Sequence, residues 1–344
     1  MGSRKLSQIN IAIVGATGAV GEAMREILEQ RKFPMGTVKL LASERSAGKT
    51  FRIGGRSVQV EVLDDFDFAD TQIALFSAGG SVSASHVPRA IESGCIVIDN
   101  TSQFRYDDDI PLVVPEVNPH RIQQGMETHL IANPNCSTIQ MVVALKPIYD
   151  AVGITRVNVA TYQAVSGAGA SGVNELAKQT ADLLNAKGAK ADVHPVQIAF
   201  NAIPQIDAFQ ENGYTKEEMK MVWETTKIFE DDNILVNPTC VRVPVFYGHS
   251  EALHIETRDK LSVKHAREML RKAPGVTLLD EQKKGGYPTA VLNAAGTDPV
   301  FVGRVRADLS HANGLNLWVV SDNVRKGAAL NSVQIAESVA TLIS

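Results

Sequence analysis

The chain has 344 residues, of which 44% are hydrophobic and 21% charged, and its formal net charge is −4. This balance is typical of a globular protein of about two domains, and it argues against nucleic acid as a partner. No run of about 18 apolar residues occurs and residues 1–5 are polar, so we expect neither a membrane span nor a signal peptide. Three scattered cysteines favour a reducing, cytoplasmic setting with no disulfide framework and no metal cluster.

A strand, a glycine-rich turn and a helix open the chain. Residues 9–14 predict a buried parallel strand, and Gly15, Gly18 and Gly21 lead into a helix that ends near residue 30. Glycines let the backbone approach a pyrophosphate, and the helix N-terminus supplies N–H donors. The spacing is GxxGxxG and not GxGxxG, so the order of the elements carries the prediction of a dinucleotide site. A glycine-rich turn without a ligand is the alternative.

The second strand, at 38–42, ends where an acidic residue would bind the ribose of NAD. Ser43, Arg45 and Ser46 follow instead, and their donors suit a 2′-phosphate, which favours NADP. Glu44 is discordant because it could serve a ribose hydroxyl, so NAD stays possible. A solvated loop charge is the alternative for Arg45.

Strands at 72–76 and 95–99, with a helix over 82–93 between them, complete an α/β wrap. Residues 100–105 leave the end of a strand, where open parallel sheets bind ligands. Arg105 is a candidate anion ligand there, since a guanidinium can pair with phosphate or carboxylate at two points. A surface salt bridge is the alternative.

Cys136 stands at the start of the next predicted helix. Pro134 ends any earlier helix, Asn135 is a plausible N-cap, and residues 139–151 have helical periodicity. The N–H groups and the dipole of a helix N-terminus stabilise a thiolate, which would make Cys136 a nucleophile. A buried structural cysteine is the alternative.

The remaining chain predicts a second domain with a largely antiparallel sheet, because its strands alternate in character. The predicted strands are 157–165, 242–246, 253–256, 300–309 and 315–321. Helices are predicted at 170–187 and 216–230, and a final helix over 324–343 is expected to dock on the first domain.

A thiol nucleophile needs a base, and His249 is the best candidate because it follows a glycine turn at a predicted strand end. His254, within a strand, fits a packed or solvated histidine. Arg242, seven residues before His249, could receive a substrate carboxylate. Glu217 and Lys220 share a helix face, which by itself indicates a surface pair.

Taken together, these residues resemble the aspartate-semialdehyde dehydrogenase family over essentially the whole chain. The motifs that carry the resemblance are GATGAVG at 15–21, NPNCST at 133–138, TYQAVSGAG at 161–169, EEMK at 217–220, RVP at 242–244, HSE at 249–251 and SDNVRKGAA at 321–329. The resemblance implies a Rossmann-type NADP-binding domain formed by 1–134 and 324–344, an α+β catalytic and dimerisation domain over 135–323, and a homodimer.

The same resemblance implies NADP-dependent interconversion of aspartate 4-semialdehyde plus phosphate with aspartyl 4-phosphate, in the biosynthesis of lysine, threonine and methionine. It makes Cys136 the thioester-forming nucleophile and His249 the acid–base. The implied substrate contacts are Gln163, Glu217 and Arg242, and the implied phosphate contacts are Arg105 and Lys220. With the turn and loop residues already singled out, the expected cofactor contacts are Gly15, Thr17, Gly18, Ala19, Val20, Ser43, Arg45, Ser46, Ser166, Gly167 and Asn323.

Two alternatives remain open. N-acetyl-glutamyl-phosphate reductase uses parallel chemistry, although the motifs around Cys136 and Gln163 look like the aspartate enzyme. A catalytically silent NADP-binding regulator could keep this fold, but we would expect it to have lost Cys136 or His249. The purpose of residues 191–212 is not indicated by any motif.

Overall fold

The computed structural model of the chain describes residues 8–344, so the polar residues 1–5 lie outside it. The backbone forms two compact units. The first runs to Pro134 and includes Ala328–Ser344, and the second is Asn135–Gly327. Between residues 8 and 344, no helix is both long and apolar enough to cross a membrane.

The first unit is a twisted sheet with helices, in the strand order β3-β4-β2-β1-β5-β6-β7. Only β3 runs antiparallel to its neighbour. The strands are β1 (Ile9–Val14), β2 (Met35–Ala42), β3 (Thr50–Ile53), β4 (Arg56–Val62), β5 (Ile73–Phe76), β6 (Ile96–Asp99) and β7 (Leu130–Ala132). The helices are α1 (Ala19–Gln30), α2 (Gly80–Glu92), α3 (Ile122–Thr128) and, from the end of the chain, α8 (Leu330–Ile343).

The predicted strand–turn–helix opening is confirmed, because β1 and α1 have the expected bounds. The central strands β1 and β5 are buried almost throughout, as parallel strands covered on both faces should be. The hairpin of β3 and β4 was not predicted. It turns at Gly54 and Gly55, both in the left-handed region that tight hairpins require.

Helix α8 belongs to the first unit through buried polar contacts. The Asn331 side chain donates to the Val113 carbonyl at 2.9 Å and to Asn133 Oδ1 at 2.6 Å. The Ser332 hydroxyl donates to Asn100 Oδ1 at 2.9 Å. The docking of the final helix on this unit is therefore confirmed, although the α-helix begins at Leu330 and not at residue 324.

The second unit is a six-stranded sheet in the order β11-β12-β13-β10-β8-β9. Three of its five strand pairs are antiparallel, while β8–β9 and β11–β12 are parallel. Its strands are β8 (Ile154–Gln163), β9 (Leu235–Arg242), β10 (His249–Thr257), β11 (Val276–Leu278), β12 (Val300–Ala307) and β13 (Gly314–Ser321). Its helices are α4 (Cys136–Val152), α5 (Gly169–Leu184), α6 (Lys216–Phe229) and α7 (Val263–Lys272).

The predicted strand over 242–246 is wrong. Arg242 is the last residue of β9, and Pro244 has no N–H with which to continue a ladder. The carbonyls of Val245 and Phe246 instead accept hydrogen bonds from the turn at Val165 and Ser166, at 2.9 and 3.1 Å. The segment therefore lies against the turn that follows β8.

Candidate active site

Cys136 is the first residue of α4. The side-chain oxygen of Asn135 accepts hydrogen bonds from the N–H groups of Ser137 and Thr138, at 3.0 and 3.3 Å. Asn135 is therefore the N-cap, as predicted, and the thiol lies in the first turn of the helix, where the positive end of the helix dipole favours an anion.

Cys136 is also the accessible member of the three cysteines, none of which forms a disulfide. It is partly exposed, whereas Cys95 and Cys240 are buried. Burial raises the pKa of Cys95 to about 12 and raises that of Cys240 as well, so neither is a usable nucleophile at neutral pH. A Cβ on Gly327 would lie 2.6 Å from the Cys136 Cβ, so the glycine leaves the room that the cysteine occupies.

His249 and Arg242 lie together at Gly167. A Cβ at Gly167 would come within 2.7 Å of Arg242 Nη1 and 3.4 Å of His249 Cε1, so glycine permits both side chains there. Arg242 donates from Nη1 to the Ala164 carbonyl at 2.7 Å. Burial lowers the pKa of Arg242, and the negative charges of Glu217 and Cys136 oppose that shift.

His249 is fully buried, and its Nδ1 accepts a hydrogen bond from the Ala164 N–H at 3.0 Å. Because Nδ1 is the acceptor, the neutral ring carries its proton on Nε2. Burial, together with the positive charge of Arg242, lowers the pKa of His249 to about 3. The imidazole is therefore neutral near pH 7 and presents an N–H donor.

Glu217 stands at the centre of a buried ionic network. Its Oε1 accepts from Asn135 Nδ2 at 2.9 Å and from Gln163 Nε2 at 3.0 Å, and its Oε2 accepts from Lys220 Nζ at 3.0 Å. Burial alone would raise the pKa of Glu217, but Lys220 and the amide donors lower it to about 2. Glu217 is 4% exposed, so the interpretation of this pair as surface residues is wrong.

Helix α6 positions Glu217 and Lys220 and also holds Asn135, the N-cap of α4. Glu224, two turns after Glu217, accepts the Asn135 backbone N–H at 2.6 Å. Thr215 and Glu218 form a capping box that fixes the start of α6. The helix thus grips Asn135 through both its backbone and its side chain.

The predicted cofactor contacts of the second unit form a separate polar cluster. Ser166 and Asn323 exchange hydrogen bonds at 3.0 and 3.1 Å, and Asn323 Oδ1 also accepts the Gly248 N–H at 3.0 Å. Gly248 directly precedes His249, so this cluster fixes the backbone that enters β10.

The glycine turn of the first unit fits a dinucleotide. Gly15 has a φ of +83°, and a Cβ there would lie 2.4 Å from the Ser77 carbonyl oxygen. Gly18 caps α1 without a side-chain hydrogen bond, so the first-turn N–H groups are not covered by a capping side chain. The Thr17 hydroxyl donates to Ser46 at 3.4 Å, which ties the turn to the end of β2, where Arg45 is exposed.

Arg105, also in the first unit, is 6% exposed, so it is not the surface salt bridge considered as an alternative. It donates from Nη2 to the Asn100 carbonyl at 2.7 Å. Arg105 is thus fixed just beyond the carboxyl end of β6.

Cys136 at a helix N-terminus, Arg242 and the buried, neutral His249 occur here in a chain that also has a dinucleotide fold. These are the parts that a nicotinamide-dependent dehydrogenase with a cysteine nucleophile requires. Among residues 8–344, no three His, Cys, Asp or Glu side chains are grouped so as to hold a metal ion.

Comparison with known proteins identifies the family. Residues 10–125 match the semialdehyde dehydrogenase NAD binding domain, and residues 145–326 match the semialdehyde dehydrogenase dimerisation domain. The chain therefore belongs to the semialdehyde dehydrogenase family, and the resemblance found in the sequence is confirmed.

The relatives are similar over almost the full chain. An aspartate-semialdehyde dehydrogenase of Shewanella violacea is 62% identical over 96% of this chain and 97% of its own. Aspartate-semialdehyde dehydrogenase 2 of Vibrio cholerae has the same identity and coverage. The crystal structure of the Vibrio cholerae enzyme II complexed with ASA is 60% identical, covers 97% of this chain and 99% of its own, and superimposes with a TM-score of 0.96.

Three charged residues at or near the site were not predicted. Asp207 contacts Lys220 at 3.0 Å, Glu224 holds Asn135, and Glu251 is buried two residues after His249. Asp207 and Glu224 belong to no motif that would indicate their partners. Glu251 is part of the HSE run, two residues after His249.

Proposed function

We propose that the chain is an aspartate-semialdehyde dehydrogenase, which interconverts aspartate 4-semialdehyde plus phosphate with aspartyl 4-phosphate and uses NADP. The observation that carries the proposal is the capped, partly exposed Cys136, whose charge interacts with Arg242, together with His249 next to the same arginine, in a chain about 60% identical to enzymes of that name. This activity would place it in the synthesis of lysine, threonine and methionine, as expected from the sequence.

Cys136 attacks the aldehyde carbon as a thiolate, and the carbonyl oxygen becomes an alkoxide. The first-turn N–H groups of α4 and the Arg242 guanidinium favour the anionic sulfur. His249 donates its Nε2 proton to the alkoxide as a hydrogen bond, because its Nδ1 already accepts from Ala164. In this step His249, the predicted acid–base, acts as a neutral hydrogen-bond donor.

Bound nicotinamide supplies the hydride acceptor for this alkoxide, and a thioester on Cys136 results. Phosphate then attacks the thioester carbonyl, which forms the acyl phosphate and releases the Cys136 thiolate. The alkoxide formed by thiolate attack and the oxyanion formed by phosphate attack both accept a hydrogen bond from His249 Nε2. No net proton transfer by His249 is needed in the oxidation step.

The remaining site residues are assigned by charge. We assign Arg242 to the substrate carboxylate, with Gln163 and Glu217 as further substrate contacts, and Arg105 and Lys220 to phosphate. The buried, ionised Glu217 suits the substrate's ammonium group, since it is the carboxylate that the network keeps charged.

NADP is proposed over NAD for the first unit. Arg45 and Ser43 are exposed at the end of β2, where a 2′-phosphate would be paired. Glu44 is exposed beside them, so NAD is retained as the second candidate. Gly15, Thr17, Gly18, Ala19, Val20 and Ser46 would hold the pyrophosphate side of the cofactor, and Ser166, Gly167 and Asn323 would serve its nicotinamide half.

A homodimer is proposed from the exposed face of the second sheet. Tyr162 and Trp318 contact each other there with ring centroids 5.6 Å apart and ring planes inclined at 50°, and Tyr162 is 40% exposed. Trp318 and Tyr287 also line a groove of about 320 Å³ on this unit. Aromatic side chains of this kind are enriched in protein interfaces.

We also retain the cytoplasmic location and the assignment of cofactor binding to 1–134 and 324–344, and of catalysis to 135–323.

The test is a spectrophotometric assay of NADP reduction with aspartate semialdehyde and with N-acetyl-glutamate semialdehyde, each with and without phosphate. We expect phosphate-dependent turnover of the aspartate compound alone, and slower turnover with NAD. Cys136→Ser should abolish it while cofactor affinity, measured by fluorescence titration, stays near wild type. Turnover of the acetylated compound would favour the reductase alternative, and none with either would favour the silent regulator.

A further inference from the structure

Lys220 has two carboxylate partners, and one of them comes from a segment whose purpose the sequence did not indicate. Its Nζ donates to Glu217 Oε2 and to Asp207 Oδ2, both at 3.0 Å. Asp207 lies in the irregular chain between α5 and α6, within residues 191–212. The site assigned to phosphate is therefore already occupied by a protein anion.

The two carboxylates are held very differently. Glu217 is 4% exposed and is fixed by the Asn135 and Gln163 amides as well as by Lys220. The Asp207 side chain is 38% exposed, and its other oxygen accepts only from the N–H of the next residue, Ala208, at 2.9 Å. Asp207 is thus the partner that can leave.

Asp207 lies in a turn between two anchored points of the chain. Its φ is +69°, in the left-handed region that aspartate adopts more readily than most residues. The segment is anchored on one side by Ile203, which exchanges backbone hydrogen bonds with Arg242 at 2.8 and 2.9 Å. On the other side the Ala208 carbonyl accepts the Lys216 N–H at 2.8 Å. A change at Asp207 can therefore be absorbed within residues 204–207.

Charge decides whether phosphate and Asp207 can share Lys220. One ammonium between two carboxylates leaves a net negative charge, and a phosphate dianion brought to that group would be repelled. If Asp207 moves away, Lys220 and Glu217 are balanced and the ammonium has a free direction for a phosphate oxygen.

We infer that Asp207 is a tethered anion that occupies the phosphate position on Lys220 and is exchanged for phosphate during turnover. The inference rests on the proposed function, because the role of Lys220 in phosphate binding comes from it. Its consequence is that phosphate affinity is lowered by the fraction of molecules in which Asp207 is in place.

The test compares Asp207→Asn with the matched variant Glu211→Gln, which removes the same charge from an exposed residue of the same segment. Asparagine tolerates the left-handed backbone and keeps the oxygen that accepts from Ala208, so the fold should be retained. Binding of inorganic phosphate to the full-length protein is measured by calorimetry, and the phosphate KM is measured in the oxidative assay.

We expect Asp207→Asn to tighten phosphate binding and lower the phosphate KM by about fivefold, the size of one partly exposed ion pair. The aldehyde KM should stay unchanged, and Glu211→Gln should match wild type. In a Lys220→Ala background, Asp207→Asn should have no effect on phosphate binding. Weaker or unchanged phosphate binding in Asp207→Asn would overturn the inference and make Asp207 a support for Lys220. Failure of the proposed function would show separately, as wild-type turnover that needs no phosphate.

Discussion

Glu217 and Glu251 are both buried in the second unit, but only Glu217 is surrounded by donors. Glu217 accepts from Asn135, Gln163 and Lys220, and these groups lower its pKa to about 2 although burial opposes them. Glu251, in the middle of the sheet on β10, is 0% exposed, and within residues 8–344 neither of its carboxyl oxygens has a hydrogen-bond partner. Burial raises the pKa of Glu251 well above its usual range.

The amide of Gln140 lies close enough to Glu251 to affect its pKa, but it does not reach hydrogen-bonding geometry with the carboxyl group. Gln140 lies one helical turn after Cys136 on α4, so the same helix carries the cysteine and the neighbour of Glu251. The comparison shows that burial alone does not set the charge of a carboxyl group. The donors Asn135, Gln163 and Lys220 favour the ionised form of Glu217, whereas burial without such donors favours the protonated form of Glu251.

The comparison predicts its largest effect for Glu217→Gln. Of the two carboxylates that hold Lys220, only Asp207 would remain, and a buried cation without its main partner costs about 3 kcal/mol of unfolding free energy. Turnover should be lost as well, because Asn135 and Gln163 lose their shared acceptor. Urea unfolding of both proteins at matched concentration measures the difference, with Glu211→Gln as the exposed control.

The ion pair of Glu217 with Lys220 also predicts how stability changes with pH. The pKa of Glu217 is depressed from 4.5 to about 2, so its contribution is fully present above pH 4.5 and is lost as the pH falls toward 2. Wild type should lose this increment in acid and Glu217→Gln should not. Parallel acid profiles for the two proteins would mean that Glu217 is not the ionised group.

For Glu251→Gln the structure predicts a gain of stability. The pKa of Glu251 is raised in the fold, so wild type is most stable below pH 4.5 and loses stability as the pH rises toward the folded pKa. The loss should be about 1.4 kcal/mol per pH unit, because unfolding then releases a proton. The glutamine variant lacks this slope and should be more stable than wild type at pH 7.

Thermal melts of wild type and Glu251→Gln at pH 4, 5, 6 and 7 measure this effect. The two proteins should coincide near pH 4, which serves as the internal control, and diverge above it. A constant difference at every pH would show that Glu251 is ionised in the folded protein.

Asn135→Ser should have the smallest effect. Serine keeps the capping oxygen for α4 but loses the amide donor to Glu217 Oε1. We expect the free energy of unfolding to fall by about 1 kcal/mol, since Gln163 still donates a hydrogen bond to Glu217 and Lys220 still balances its charge. Asn135→Ala, which loses the cap as well, should be less stable than the serine variant in the same urea titration. Equal stability of the two would mean that the cap contributes nothing.

Local signals in the sequence were sufficient to predict where α4 and α1 begin, next to the two proposed functional sites. Pro134 and Asn135 fixed the start of α4, and the glycines at 15 and 18 fixed the turn into α1. These features depend on capping and backbone conformation, which a few neighbouring residues determine. Cys136 could for that reason be placed on a helix N-terminus without a structure.

Features that depend on distant partners could not be derived in this way. The β-branched residues after Arg242 suggested a strand, but their carbonyls pair with the turn at Val165 and Ser166. The contact of Asp207 with Lys220 joins two segments through an irregular loop, and nothing near Glu251 shows that its donors are missing. The Gly54-Gly55 hairpin is different, because two consecutive glycines between alternating residues are a local signal for a tight turn.

The division of the first unit into two segments has a consequence for synthesis on the ribosome. Asn133 is buried against Asn331, which is made 198 residues later. At ordinary translation rates that interval lasts about 10–40 s. During this interval, all seven strands of the first unit have been made, but the side chains of Asn100 and Asn133 have not met α8. The second unit is contiguous and can fold first, so the domain that is started earliest on the ribosome is finished last.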